Sequence, residues 1–203
     1  MNKRIKTIFN AILLSVSFAL IVVAAAPSAG FAELQDLPKA DGSGDAPDML
    51  VDLFNRAPAA KAPKFIKMSS LRGKVTLVDI FWSRCPHCEE HAPHIVEFYN
   101  QYKQRGFTVL GLATDRKDNP DDVTSLKAFL DRTKINYPVG FLTSEIRMNY
   151  ADPKEAGVPQ MVLFGADGKM ILREIGWSPA QGEKVKKAIE AHLAKTATRA
   201  GKK

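Results

Sequence analysis

An α/β fold, with a central sheet covered by helices on both faces, follows from three features of this 203-residue chain. Strand and helix signals alternate from Lys74 onward. The strand signals are near-continuous apolar runs, as strands buried on both faces require. Near the end, an Asp167-Gly168 turn separates two apolar runs, the mark of an antiparallel hairpin. Val75 to Trp82 is the first strand, rich in β-branched and aromatic residues. Cys85-Pro86-His87-Cys88 then opens a helix expected to reach about Gln104. Ala92, Ile95, Val96, Tyr99 and Tyr102 recur along it at helical spacing, and Gly106 stops it. Phe107 to Ala113 is a second buried strand. Asn119-Pro120-Asp121-Asp122 starts the next helix, with a capping Asn, a proline in the first turn and acids at the positive end of the dipole. That helix is expected to end near Lys134. A short strand follows at Val139 to Leu142 and a short helix at Ser144 to Ala151. Met161 to Phe164 and Met170 to Ile175 form the hairpin. Ser178-Pro179-Ala180-Gln181 has capping-box spacing, and the last helix is expected to reach about Leu193. The order is β-α-β-α-β-α-β-β-α, a sheet with a hairpin at one end.

The formal net charge is +7, which invites a nucleic-acid reading, but its distribution excludes one. Lys3, Arg4 and Lys6 contribute +3 at the N-terminus, and Lys195, Arg199, Lys202 and Lys203 contribute +4 at the C-terminus. Residues 33–194 carry 22 basic and 22 acidic residues. A fold with a neutral body has no basic groove for nucleic acid.

Residues 1–32 read as an export signal: a basic start, then the apolar run Ala11 to Ala26, then small residues. Cleavage is expected between Ala32 and Glu33, with Ala24-Ala25-Ala26 as the alternative site. The other reading of 1–32 is a retained anchor, although the run falls short of the ~20 residues of a spanning helix. Both place the folded part in an oxidising, extracytoplasmic compartment. Residues 33–64 are a linker by composition, holding Pro38, Gly42, Gly44 and Pro47. Within it, Met49 to Phe54 is expected as a short helix packed on the main domain, with Asp48 capping it. Residues 65–194 form the main domain, and 195–203 a basic disordered tail.

The chemistry sits at the first strand-to-helix turn. Cys85 and Cys88 are the chain's two cysteines. Three positions apart on a helix, their sulfurs meet within one turn. The first lies at the helix N-terminus, where N–H groups and the dipole stabilise a thiolate. Cys85 is therefore the expected exposed nucleophile and Cys88 the more buried resolving thiol, exchanging through a mixed disulfide on Cys85. A zinc site would need two further ligands; His87, His91, His94 and His192 are the candidates, but no second Cys pair exists, and no metal is expected. So small a loop gains little from a purely structural disulfide.

The run Val75 to Pro93, with Gly157-Val158-Pro159 and the Asp167-Gly168-Lys169 turn, resembles the thioredoxin superfamily over residues 65–194. It is most similar to the exported TlpA/ResA branch, which carries an extra strand and helix, here around 114–145. The resemblance implies a thioredoxin-like fold with Cys85 and Cys88 as the redox pair. It implies that Pro159 is the family's cis-proline, Pro93 its helix-kinking proline, and Asp79 its buried acid. Desolvation in an apolar strand favours a protonated carboxyl, so Asp79 is expected to take the proton of Cys88.

Three departures bear on direction. Arg84 stands where thioredoxin has Trp, and a charge there would stabilise the Cys85 thiolate. His91 stands where many TlpA-like proteins have Glu; it and His94 are expected as partly exposed helix residues. Pro86-His87 is the dipeptide of DsbA-type oxidases, and His87 can stabilise the reduced form.

The function expected is an extracytoplasmic thiol–disulfide oxidoreductase, with reductase and oxidase both open. Its substrates are protein thiols and disulfides, with apocytochrome c or a copper-site assembly factor implied by the resemblance. A membrane or soluble redox partner recharges the pair, no cofactor is needed, and a monomer is expected. Two alternatives are a peroxiredoxin-like thiol peroxidase and a copper- or haem-handling protein of cytochrome assembly. The peroxidase motif would place Pro at position 78 and Thr at 82, where this chain has Val78 and Trp82.

Overall fold

The computed structural model describes residues 48–54, 64–151 and 157–200. The expected signal and most of the linker lie outside them. In chain order the elements are β1 (Leu50–Asp52), β2 (Phe65–Lys67), β3 (Val75–Phe81), α1 (Pro86–Tyr102), β4 (Phe107–Ala113), α2 (Pro120–Thr133), β5 (Val139–Phe141), α3 (Ser144–Tyr150), β6 (Gln160–Phe164), β7 (Met170–Ile175) and α4 (Pro179–Ala200). Short 3₁₀ turns precede β3 at Met68–Leu71 and follow α1 at Lys103–Arg105.

The main sheet has the order β5-β4-β3-β6-β7. β3 is central and buried along its whole length, which is why its sequence does not alternate. β4 and β5 run parallel on one side; β6 and β7 run antiparallel on the other. The two faces of β3 serve different cores. Val75, Leu77 and Phe81 pack with Ile95, Phe129 and Val185, from α1, α2 and α4. Val78 and Ile80 pack with Ile146 and Tyr150 of α3 and with Met49 and Val51. Asp79 follows Leu77 by two, so the pleat aims it at the face that α1 covers.

The caps expected from sequence form. Asn119 accepts from the N–H groups of Asp121 and Asp122 at 2.9 and 3.3 Å. Ser178 Oγ accepts from Gln181 N–H at 3.3 Å and donates to Gln181 Oε1 at 2.9 Å. Gly106 follows the 3₁₀ turn with φ 88°, the left-handed conformation that glycine adopts without strain.

Two expectations fail. Met49 to Phe54 is not a helix: Leu50–Asp52 pairs antiparallel with β2, Val51 opposite Ile66. Met49 and Val51 are buried while Leu50 is exposed, so the segment has period two. Leu53 then bridges Gly140, and Phe54 N–H donates to Val139 O at 2.7 Å, so the hairpin covers the β5 edge. A Cβ on Gly140 would lie 2.4 Å from Val51 Cγ1, which explains the glycine there. Asp48 caps the 3₁₀ turn instead, accepting from Ser69 N–H at 2.9 Å and Ser69 Oγ–H at 2.8 Å. The second failure is the tail. α4 continues through Ala200, because no Gly or Pro intervenes after Leu193 and alanine-rich sequence propagates helix. Residues 201–203 lie outside the described set.

Candidate active site

Cys85 caps α1. Its backbone is extended (φ −90°, ψ 118°), and Pro86 at the first helical position presets the turn. Cys88 N–H points back at Cys85 Sγ, 3.4 Å away. Cys85 is half-buried and Cys88 fully buried, both as free thiols. Burial first, then the hydrogen bond with Cys85, pushes the Cys88 thiol far above its ordinary value.

The loop before β6 closes the site. The Val158–Pro159 peptide is cis, and Cys85 Sγ–H donates to Val158 O at 3.6 Å. Gly176 N–H donates to Pro159 O at 2.8 Å, and Gln160 Nε2–H to Gly157 O at 2.9 Å. Pro159 is thus buried beside the pair, where the sequence places it. Pro93 lies within α1, which runs unbroken past it.

Asp79 and His91 are the site's buried ionisable core. Both side chains have zero exposure, with His91 Nε2 2.9 Å from Asp79 Oδ1. His91 Nδ1 lies 3.0 Å from Cys88 O, and Tyr137 O–H donates to Asp79 Oδ2 at 3.0 Å. Burial opposes a charged His91, but the charge and hydrogen bond of Asp79 outweigh it, and the imidazole's pKa is raised. His91 is therefore not the partly exposed residue expected. It continues the buried face of α1, Cys88-His91-Ala92-Ile95, a stripe legible as i, i+3, i+4, i+7. His94 is exposed as expected, stacked on Trp177 with ring centroids 4.8 Å apart. Tyr137 carried no site expectation; a buried tyrosine beside a proline gives no periodic signal.

Arg84 and His87 each make contacts that their position next to the cysteines did not imply. The Arg84 guanidinium pairs with Asp122, donates to Ser125 Oγ at 3.0 Å, and lies over the Trp82 ring at 5.3 Å. Arg84 is first in holding the Asp122 carboxyl down to about 2, followed by Arg116. His87 is exposed, its Nδ1 4.0 Å from Glu90 Oε2. The segment from 114 to 133 instead braces the turn. Asp115 accepts from Ser83 N–H at 3.0 Å and from its hydroxyl at 2.5 Å, Asp122 holds Arg84, and Arg132 forks onto Glu89 at 2.9 and 3.1 Å. Between these braces an open groove of about 510 Å³ runs past Pro86. Among the described residues, no three His, Cys, Asp or Glu side chains are grouped to hold a metal ion.

A solved thiol:disulfide interchange protein of the thioredoxin family from Chlorobium tepidum TLS superposes with a TM-score of 0.54, covering 74% of this chain and 99% of its own at 24% identity. The thioredoxin domain of a Bacteroides vulgatus thiol-disulfide oxidoreductase gives 0.56, covering 77% and 99% at 21% identity. These likenesses establish the thioredoxin-like fold. The thiol-disulfide oxidoreductase ResA of Bacillus thuringiensis subsp. konkukian is 28% identical over 133 residues, 65% of this chain and 69% of that protein. Protein DipZ of Mycobacterium bovis is 36% identical over 103 residues, 49% of this chain but 14% of that longer protein. The family model described as AhpC/TSA matches residues 45–173, which span the braced turn, the cysteine pair and the cis-proline loop. The chain belongs to the AhpC/TSA family and is, within it, a thiol–disulfide oxidoreductase of thioredoxin-like fold.

Proposed function

We propose that this protein exchanges disulfides with other proteins outside the cytoplasm, through the Cys85/Cys88 pair. One observation carries the reading: a half-exposed thiol caps α1 against a cis-proline loop while its partner thiol lies buried one turn on. In the reducing direction, Cys85 S⁻ attacks a substrate disulfide. A mixed disulfide forms, and the first substrate sulfur leaves as a thiolate that takes a proton from solvent. Cys88 loses its proton to Asp79 and attacks Cys85 Sγ. The Cys85–Cys88 bond forms, and the second substrate sulfur leaves. The pair is oxidised by two electrons and the substrate reduced. The oxidising direction is the same sequence reversed, with a redox partner of the opposite sense recharging the pair.

The basic start and apolar run of residues 1–32 support an extracytoplasmic site of action. Among the described residues, no helix is long and apolar enough to cross a membrane. Exported proteins with exchangeable thiols are the substrate class, apocytochrome c and copper-site assembly factors being the first to try. The peroxidase alternative lacks a hydroxyl at position 82, where Trp82 carries the Arg84 guanidinium over its ring.

Cys88→Ser tests the reading, because it stops exchange at the mixed disulfide. Partners linked to Cys85 are expected in the exported fraction. No such partner, together with no insulin reduction by the wild type, would overturn it. The redox potential then fixes direction, within the ~150 mV that separates thioredoxin from DsbA.

A further inference from the structure

The hydrogen bonds of His91 fix a proton count. The Cys88 carbonyl offers only lone pairs, so Nδ1, 3.0 Å away, carries a hydrogen. Nε2 lies 2.9 Å from Asp79 Oδ1. Two bare acceptors repel at that distance in a site closed to water, so a second proton lies between them. Whether it sits on nitrogen or oxygen, the pair has no net charge. Tyr137 occupies the other carboxyl oxygen as a donor. It stays protonated, because burial raises its pKa well above the ordinary tyrosine value.

We infer that His91 is a positioning residue of the resolving step: by keeping a proton on the Asp79–His91 pair, it gives Cys88 a neutral neighbour in place of a bare carboxylate. The inference rests on the thiol–disulfide exchange proposed above. It adds a group which that exchange does not itself require. A bare carboxylate beneath Cys88 would oppose its thiolate, like charge against like. The neutral pair removes that repulsion. When Asp79 takes the Cys88 proton, the pair becomes +1 beside a thiolate of −1. The Cys85–Cys88 bond then forms, the substrate sulfur leaves with the electron pair, and the pair returns its extra proton to solvent.

The titratable groups facing the pair are few. Asp79 comes from β3, Tyr137 from the segment before β5, and Cys88 from α1 itself. Trp177, after β7, covers His91 with ring centroids 5.7 Å apart, and His94 stacks on that indole.

The test uses the full chain, reduced and mixed with Ellman's reagent in a stopped-flow. One coloured thiolate is released as Cys85 forms the mixed disulfide and a second as Cys88 resolves it. The second rate reports the Cys88 thiolate fraction. His91→Gln keeps a donor to Asp79 Oδ1 but brings no proton. The second release is expected to slow about tenfold across neutral pH, equivalent to one unit in the Cys88 titration. A folded His91→Gln protein with the wild-type rate and pH profile would overturn the inference; a purely structural His91 would lower stability and leave that profile in place. A second measurement needs no variant at position 91. In Cys85→Ser protein, ¹⁵N shifts of the His91 ring are expected to show Nδ1 protonated well above the ordinary imidazole pKa of about 6.5. An Nδ1 without hydrogen would remove the premise. Failure of insulin reduction by the wild type would sink the exchange reading instead, and leaves the ring shifts unaffected.

Discussion

Tyr137→Phe isolates one hydrogen bond at the heart of the site. The substitution removes the hydroxyl that donates to Asp79 Oδ2 at 3.0 Å and leaves the ring in place. The ring keeps its packing, edge-on to Tyr99 at 5.9 Å. Both partners are buried, Tyr137 at 1% exposure and Asp79 at 0%, so water does not replace the lost donor. Leaving a buried acceptor without its donor costs about 1–3 kcal/mol. For a domain of this size that corresponds to a fall in Tm of about 2–12 °C. Tyr102→Phe is the matched control. Its hydroxyl donates to Glu190 Oε1 at 2.6 Å, but Glu190 is exposed and regains water. That variant should lose about 1 kcal/mol or less. The assay is urea unfolding at neutral pH, followed by far-UV circular dichroism, on both variants. Equal midpoints for the two would refute the claim that Asp79 is held by a donor that solvent cannot supply.

Three further outcomes follow. Asp122→Asn removes a carboxyl held at about 2 by Arg84 and then Arg116. A depressed carboxyl stabilises fully above its unfolded pKa of about 3.9. The variant's deficit in denaturant midpoint should therefore be complete at neutral pH, shrink below about pH 4, and vanish only as pH falls through about 2. Gly140→Ala places a Cβ 2.4 Å from Val51 Cγ1 and 2.6 Å from Asp52 O, so overpacking should cost about 1–3 kcal/mol in urea unfolding. Amide exchange at Phe54, bonded to Val139 O, should accelerate with it. Lys134→Gly relieves a left-handed residue (φ 57°, ψ 30°) at the end of α2 and should add about 1 kcal/mol of stability by the same unfolding assay.

The main sheet was legible because its strands are either wholly apolar or bounded by turn residues. β4 and β7 match their expected limits, and the caps at Asn119 and Ser178 sit where short polar side chains and proline demanded them. What escaped depends on partners distant in sequence. The segment from Met49 to Phe54 is a strand only because β2 and the β5 edge are there to pair with it. The Cys85/Cys88 pair was legible from its spacing at a strand-to-helix turn, whereas Asp79 and Pro159 were legible only through the resemblance to thioredoxin-like proteins. His91 was misplaced by reading its polarity ahead of its position on the α1 stripe. Tyr137 reaches Asp79 from 58 residues away, a contact that no local pattern encodes.

Arg84 and His87 looked, in sequence, like the features that would make this pair oxidising. In the fold each faces an acid. Arg84 is held by Asp122 and turned onto Trp82, and His87 lies near Glu90 in full solvent, where a charge interaction is weak. Each charge thus has a contact other than the sulfur. What remains fixed at Cys85 is the Cys88 N–H and the open end of α1, a geometry that rests on the braces from Asp115, Asp122 and Arg132. What remains fixed beneath Cys88 is the Asp79–His91 pair with the Tyr137 hydroxyl. The helix end at Cys85 and the buried pair beneath Cys88 are thus the fixed surroundings of the two sulfurs. The dipeptide between the cysteines has both side chains exposed. The redox potential, measured in the wild type and in His87→Ala, therefore decides whether its likeness to DsbA-type oxidases carries over. An unchanged potential in the variant would refute a role for His87 in direction.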